Sequence, residues 1–282
     1  MELVSVYITT HNRAGLLVRA VKSVLNQTYK NVEIIISDDG SSDDTKQKVL
    51  DLQKKHKNIV YVRNEVPKGA NNARNNALRV ANGKYISGLD DDDVFSKDRI
   101  EKFVTDWDDK YSFICGNMLM INQPHQKKLF NIPKSGQVCN YRHLLVNNCV
   151  GNQIFTLKAN FEKIDGFNEN LKKFQDWDCW LRMSKKCGPF KRLPHDTYLM
   201  YDDASSRVSN NLTNYQAFGE LIKHNLDIYD NHSIKLLDVF VLKRSSVSIL
   251  SFRDCYKTRI MISPLLRMIA SHMIKSKLLR GK

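Results

Sequence analysis

Nowhere in the 282 residues does an uninterrupted apolar run approach the ~20 residues that a membrane-spanning helix needs, so no spanning helix is expected. The opening MELVSVYITT carries an acid and no basic stretch ahead of an apolar core, so no signal peptide is expected either. Six cysteines, Cys115, Cys139, Cys149, Cys179, Cys187 and Cys255, form no C-x-x-C pair and have no histidine at zinc-ligand spacing. They read as small, mostly buried thiols in a reducing compartment. Internal repeats and low-complexity tracts are also missing. What is present, 42% apolar residues, suffices for a proper core in one large domain or one domain with an appendage.

Acids are in deficit, with 44 Lys and Arg against 30 Asp and Glu, and the net charge of +14 points to an anionic partner: nucleic acid, a phospholipid surface or a phosphorylated small molecule. The surplus is uneven. From Ser233 to Lys282 eleven basic residues face only Asp238 and Asp254, which places +9 of the +14 in this tail. There Leu265, Leu266, Ile269, Met273 and Ile274 are set against Arg267, Lys275, Lys277 and Arg280, the pattern of an amphipathic basic helix lying on an anionic membrane surface. A basic nucleic-acid-binding protein is the alternative from another class. The tail lacks interleaved aromatics and any nucleic-acid motif, so no nucleic-acid partner is expected.

Along the chain, apolar strands alternate with helical spacing. Leu3 to Thr9, Val32 to Ser37, Ile59 to Arg63 and Tyr85 to Leu89 read as strands. Asn12 is placed to cap a first helix carrying Leu16, Leu17, Ala20, Val21, Val24 and Leu25, and Ser42 or Asp43 to cap a second running to about His56. GANNARNNALRVANG reads as a third helix closed by Gly83, followed after the fourth strand by a helix over Lys97 to Asp109 and a strand over Phe113 to Ile121. Residues 122–153 give weak signals and read as loops and short strands at the mouth of a site. Phe155 to Phe167 leads to another helix in KKFQDWDCWLRMSKKCG, and the chain turns helical and basic from about Leu212. The alternation implies an α/β fold with a mostly parallel sheet flanked by helices, whose ligands sit beyond the carboxyl ends of the strands. His11 and Asn12, Asp38 and Asp39, and Asp90 to Asp93 all fall there.

Four adjacent aspartates, in SGLDDDDVF, demand an explanation. In an extended chain residues two apart share a face roughly 7 Å from each other, so Asp90 pairs with Asp92 and Asp91 with Asp93. Two such charges at ~4 Å cost each other about 4 kcal/mol at an effective dielectric near 20. An oxygen-only site of few ligands suits Mg²⁺ or Mn²⁺ completed by water and substrate phosphates. A cation so held can neutralise a departing nucleoside diphosphate.

VSVYITTHNR, SVLNQTYKNVEIIISDDGSSDDT, GANNARNNAL, YISGLDDDD, IDGFNENL and FQDWDCWLR occur in this order over residues 1 to about 185. Together they resemble glycosyltransferase family 2, the inverting nucleotide-sugar transferases of GT-A fold. The resemblance implies a GT-A catalytic domain over residues 1–211, with a nucleotide-sugar half (1–121) and an acceptor half (122–211), followed by the helical basic region 212–282. It implies that Thr9, His11, Arg13, Asp38, Asp39, Arg74 and Asp91 line the UDP-sugar pocket, His11 standing where the family often has Tyr against uracil. Asp90 and Asp92 match the D-x-D acids and would hold Mn²⁺ or Mg²⁺, while Asp93 caps the helix beginning near Ser96 or supports the loop. Asp176 matches the general base, with Gln175 where the family usually has Glu; Asp178 competes for that role. Trp177 and Trp180 would stack on an acceptor sugar or pack in the core. His195, Tyr201 and Asp202 lie near the place of a histidine that assists the metal or phosphates. The implied activity is transfer of a hexose from a UDP-sugar, with inversion to a β-linkage, onto a polyprenyl-diphosphate-linked glycan in bacterial O-antigen or capsule synthesis. The implied place is the cytoplasmic face of the inner membrane. Transfer onto polyprenyl phosphate itself is the nearest enzymatic alternative; nucleotidyl transfer would need a Gly-rich phosphate loop, which TTHNRAGLL is not.

Overall fold

The near-continuous apolar runs become central strands because helices cover them on both faces. In the computed structural model, which describes residues 1–122, 125–145, 147–201 and 214–229, β1 (Val4–Thr10), β2 (Val32–Asp38), β3 (Ile59–Arg63) and β4 (Tyr85–Asp90) lie parallel in the order β3-β2-β1-β4. Alternate side chains of one strand feed opposite cores. Val4, Val6, Ile8, Ile34 and Ile36 pack with α1 (Ala14–Leu25), α2 (Thr45–Lys55) and α4 (Arg99–Asp106). Tyr7 and Ile35 pack with α3 (Ala70–Val80), α6 (Lys158–Lys163) and α7 (Gln175–Cys187).

Beyond β4 the sheet continues through β9 (Phe155–Leu157), antiparallel to β4, then β6 (Ile114–Asn122), β10 (Phe190–Tyr201) and β5 (Val94–Phe95). Two short strands flank it, β7 (His125–Lys128) against β6 and β8 (Gln137–Cys139) against β10. The fold is thus the expected α/β architecture, a mostly parallel sheet covered by helices. Among its described residues, the weakly patterned 122–153 stretch adds only α5 (Tyr141–Leu144) to β7 and β8.

Local expectations need correction at three places. The fourth helix is shorter than Lys97 to Asp109 at both ends. Gly83 does not close α3, which ends at Val80; the Gly83 N–H instead donates to Ser5 Oγ (2.8 Å) and Glu33 Oε1 (3.1 Å), tying the loop to the sheet. The boundary at 211/212 falls inside the folded unit, because Ala217, Phe218, Leu221 and Tyr229 are buried and α8 (Asn214–Lys223) packs on α7. The Phe218 ring lies 4.6 Å from that of Phe174 and 5.3 Å from that of Trp177. The remainder of 212–282, on which the expected amphipathic basic helix and membrane-surface role fall, lies outside the described residues, as does Asp202. Among the described residues no helix is long and apolar enough to cross a membrane.

Candidate active site

The carboxyl ends of β2, β1 and β4 form one edge, and the loops that leave them are laced together. Asn12 adopts a left-handed backbone, φ +54°, which few residues other than glycine tolerate and Asn tolerates best. Its Oδ1 accepts from the N–H groups of Ser42 (2.7 Å) and Asp43 (3.3 Å). Asn12 therefore does not cap α1; Asp43 does so from the neighbouring loop, accepting from Ala14 N–H at 3.2 Å, while its other oxygen takes Thr45 N–H at 3.0 Å. Thr9 sits half-buried at the end of β1 in register with Asp90, and the exposed His11 ring lies with Nδ1 2.8 Å from the Asp39 carbonyl oxygen.

Asp38 and Asp39 turn inward. Asp38 is fully buried and accepts from Ser41 N–H (2.8 Å), the Tyr61 hydroxyl (2.7 Å) and Arg63 Nε (3.1 Å), so it braces the loop. Asp39, 7% exposed, accepts from Asn64 Nδ2 (2.8 Å) and the N–H groups of Lys68 and Gly69 (both 2.7 Å), shaping the entry to α3.

The aspartate run departs from strand alternation because β4 ends at Asp90 and the chain turns, closed by Asp93 N–H donating to the Asp90 carbonyl at 3.1 Å. The turn brings Asp93 back beside Asp90 and Asp92, with one carboxylate oxygen from each within 4.8 Å of the others. Asp91 is buried and pairs with Arg13 Nη1 at 3.2 Å. The same Nη1 lies 3.0 Å from Asp92 Oδ2. Asp93 caps no helix, since Asp98 occupies the N-terminus of α4; it accepts from Tyr201 N–H at 3.2 Å. Burial, with the charges of Asp90 and Asp92, pushes the Asp93 carboxyl up to about 8. Burial raises Asp90 too and lifts Asp91 to about 6 against the pull of Arg13.

A polar shell that sequence reading missed fixes Asp90. Gln153 Nε2 donates to Asp90 Oδ1 at 2.8 Å, Asn152 Nδ2 donates to Oδ2, and the Tyr198 hydroxyl accepts the Asp90 N–H at 3.2 Å while bonding to the Asp93 carboxylate. Tyr7 donates to Gln153 Oε1 at 3.0 Å. Gly88 makes room for this packing, because a Cβ there would lie 1.8 Å from Gln153 Oε1. Asn152 and Gln153 sit in the stretch without periodic pattern, and nothing in their local sequence marks them.

Across the cleft, α7 begins after Phe174, whose backbone is left-handed (φ +59°, ψ 26°), a genuine outlier for a bulky residue and held by its packing on Trp177 and Phe218. Asp176 follows, its side chain 23% exposed and its Oδ1 without a hydrogen-bond partner. Arg74, 7% exposed, lies between the two acidic groups, with Nη2 3.7 Å from Asp176 Oδ1 and 4.0 Å from Asp90 Oδ1. Its Nη1 donates to Asn71 Oδ1 (3.0 Å) and Gln175 Oε1 (3.4 Å), so Gln175 contacts the arginine without adding charge. Asp178 is fully buried, salt-bridged to Arg182 (2.7 Å) and accepting from Asn225 Nδ2 (2.7 Å), so it braces α7 and is not a base. Trp177 and Trp180 belong to the core, their indole N–H groups donating to the carbonyls of Leu144 and Gly151. His195 pairs with Asp106, away from the cluster, and Tyr201 lies under Arg19, 4.4 Å from the guanidinium carbon to the ring centre.

Burial pushes the Asp176 carboxyl up to about 6, with Arg74 opposing and Asp90 reinforcing the rise. If Asp176 is the base it must be ionised, so kcat/KM, which follows the free enzyme, should climb as pH rises through about 6 and level above it. A kcat/KM profile flat down to the ordinary carboxylate range would contradict this.

The donor set of Asp90, Asp92 and Asp93 is all oxygen, few in number and crowded with charge, which fits Mg²⁺ or Mn²⁺ and no softer ion. When bound, such an ion supplies charge neutralisation at phosphate oxygens. The family model for glycosyl transferase family 2 matches residues 5–160. WcaA of Escherichia coli K12, named as a colanic acid biosynthesis glycosyl transferase, is 31% identical over 243 residues, 83% of this chain and 85% of that one. The Escherichia coli UDP-Glc:alpha-D-GlcNAc-diphosphoundecaprenol beta-1,3-glucosyltransferase WfgD is 33% identical over 184 residues, 65% of this chain and 70% of that one. Among solved structures, S. aureus TarS 1–349 in complex with UDP-GlcNAc superposes with a TM-score of 0.68 at 18% identity, over 94% of this chain and 79% of that chain, a likeness of GT-A fold. A sheet edge bearing a clustered acidic run, with the family match over residues 5–160 across it and a relative 31% identical over most of both chains, leads to one conclusion: the chain belongs to glycosyl transferase family 2.

Proposed function

We propose that the chain transfers a hexose from a UDP-sugar, with inversion, to a glycan carried on a polyprenyl diphosphate, in the synthesis of a bacterial surface polysaccharide. The observation that carries this reading is the placement of Arg74 between Asp90 of the cation cluster and Asp176 of α7. One side suits a cation and a diphosphate; the other offers a carboxylate that is ion-paired with Arg74 and accepts no hydrogen bond on Oδ1. A sugar ring held between them would present its anomeric carbon to an acceptor oxygen at Asp176.

In this reading Asp176 removes the proton of the acceptor hydroxyl, the oxygen forms its bond to the anomeric carbon, and the bond to the departing diphosphate oxygen breaks on the opposite face. The new linkage is β for an α-linked donor. Thr9, His11 and Arg13 border the nucleotide side, and Arg74 supplies positive charge between donor and base. WfgD, by its name, uses UDP-Glc and a GlcNAc-diphosphoundecaprenol, which supports a lipid diphosphate acceptor at the cytoplasmic membrane face for this chain.

The test is transfer from UDP-Glc, UDP-Gal, UDP-GlcNAc and UDP-GalNAc to a synthetic lipid-diphosphate-GlcNAc, with the bare lipid phosphate as a parallel arm. A β-linked disaccharide product on the diphosphate acceptor, lost on chelation with EDTA and restored by Mn²⁺, is expected. An α-linked product, or transfer only to the bare lipid phosphate, would overturn the reading.

A further inference from the structure

The acidic turn is braced by arginine. Arg13 Nη1 alone reaches two carboxylates, Asp91 at 3.2 Å and Asp92 at 3.0 Å. Asp92 is also one of the three acids whose oxygens cluster within 4.8 Å, and the most exposed of them, its side chain at 33%. The guanidinium therefore sits on a carboxylate that a divalent ion needs. Both cannot hold Asp92 at full strength, because two positive centres sharing one carboxylate repel each other in a partly buried site.

The surroundings let the side chain move while the turn stays. Arg13's backbone is anchored by its neighbour Asn12, bonded to Ser42 and Asp43, and by its own carbonyl, which accepts Leu17 N–H at 3.0 Å. The backbone of the acidic turn is held separately: Arg19 Nη2 donates to the Asp92 carbonyl oxygen, and Asp93 N–H to the Asp90 carbonyl. Neither of those bonds uses the Asp92 carboxylate. Arg13's side chain is 22% exposed, so part of it is open to solvent.

We propose that Arg13 is the resident counter-ion of the cation site, exchanging its contact with Asp92 for the donor diphosphate when a divalent ion binds, so that ion and nucleotide bind as a coupled pair. The proposal rests on the cation and UDP-sugar reading given above. It assigns Arg13 a positioning role: the guanidinium lowers the site's affinity for a bare ion and passes its charge to the diphosphate that arrives with the ion. By linkage, whatever factor UDP adds to ion affinity, the ion adds to UDP affinity. An unloaded enzyme would thereby resist filling its acidic turn with a cation that has no substrate to accompany it.

The experiment uses the full chain and equilibrium binding, not turnover. Mn²⁺ is titrated by electron paramagnetic resonance, with and without UDP, into the wild type and into Arg13→Gln, Arg13→Lys and Asp92→Asn, with thermal melts to confirm folding. Arg13→Gln should bind Mn²⁺ alone about tenfold more tightly, bind UDP alone about tenfold less tightly, and lose most of the mutual enhancement. Arg13→Lys, which keeps the charge, should stay near the wild type for Mn²⁺ alone. An Arg13→Gln affinity for Mn²⁺ equal to or weaker than that of the wild type would overturn the exchange. Asp92→Asn reports on the underlying site: Mn²⁺ binding should collapse, and unchanged binding would place the ion elsewhere and sink the proposal with it. If Asp92→Asn loses Mn²⁺ while Arg13→Gln behaves as wild type, the site reading stands and only the exchange fails.

Discussion

Asp176→Asn should keep its affinity for UDP and lose sugar transfer by about 10²–10⁴-fold, the range that a positioned general base supplies. Asparagine preserves the shape of the side chain but cannot accept the acceptor's proton. The aspartate suits the role because its side chain keeps 23% exposure while Oδ1, buried beside Arg74, accepts no hydrogen bond. Asp178, two residues on, is the informative contrast. Its carboxylate is fully buried and occupied by Arg182 and Asn225, so Asp178→Asn should lower the melting temperature and leave the rate of the folded fraction largely intact. Single-turnover transfer at saturating donor, with UDP affinity from calorimetry, separates the two effects. Transfer by Asp176→Asn within threefold of the wild type would mean that another group takes the proton.

Arg74→Ala should destabilise the fold by about 3–5 kcal/mol, the cost of removing one partner from a buried charge cluster. Arg74 is 7% exposed, and without it Asp90 and Asp176 would face each other uncompensated across the gap it spans. The sign of the pH dependence follows from the titration of Asp176. Burial raises the Asp176 value and Arg74 pulls it back to about 6, so in the variant the carboxyl titrates higher still; the gap opens as pH rises above about 6 and closes as pH falls through it, where the group is protonated in both proteins. Urea denaturation at pH 8 and pH 5 should therefore show a larger stability gap between wild type and variant at pH 8. Equal gaps at the two values would show that Arg74 matters for packing on Phe167, 5.3 Å from its guanidinium carbon to the ring centre, and not as a counter-charge.

The legible parts of this molecule were those with a short period or a strong chemical signature. β1, β2 and β4 showed as apolar runs because both faces are buried, and the acids at their ends marked the functional edge. Asp176 stood out through the surrounding FQDWDC pattern. Reading the aspartate run by strand alternation failed because the strand stops at Asp90, and one turn regroups Asp93 with Asp90 and Asp92. Asp38 and Asp39 likewise look ligand-facing until their partners, Tyr61, Arg63, Asn64 and the start of α3, are brought in by the fold. The amides of Asn152 and Gln153 come from more than sixty positions away to hold Asp90. Such long-range polar pairing follows from topology, and no local pattern announces it.

The docking of α8 on α7 bears on how this chain could be recombined with its relatives. Phe218 closes over Phe174 and Trp177, and Asn225 holds Asp178, two residues from the proposed base. A chimera joined just after β10 would graft a foreign segment onto the back of the helix that aims Asp176, and its acceptor side would inherit that mismatch. The natural seam for exchanging acceptor recognition thus lies on the far side of Tyr229, with α7 and α8 travelling together as one cassette.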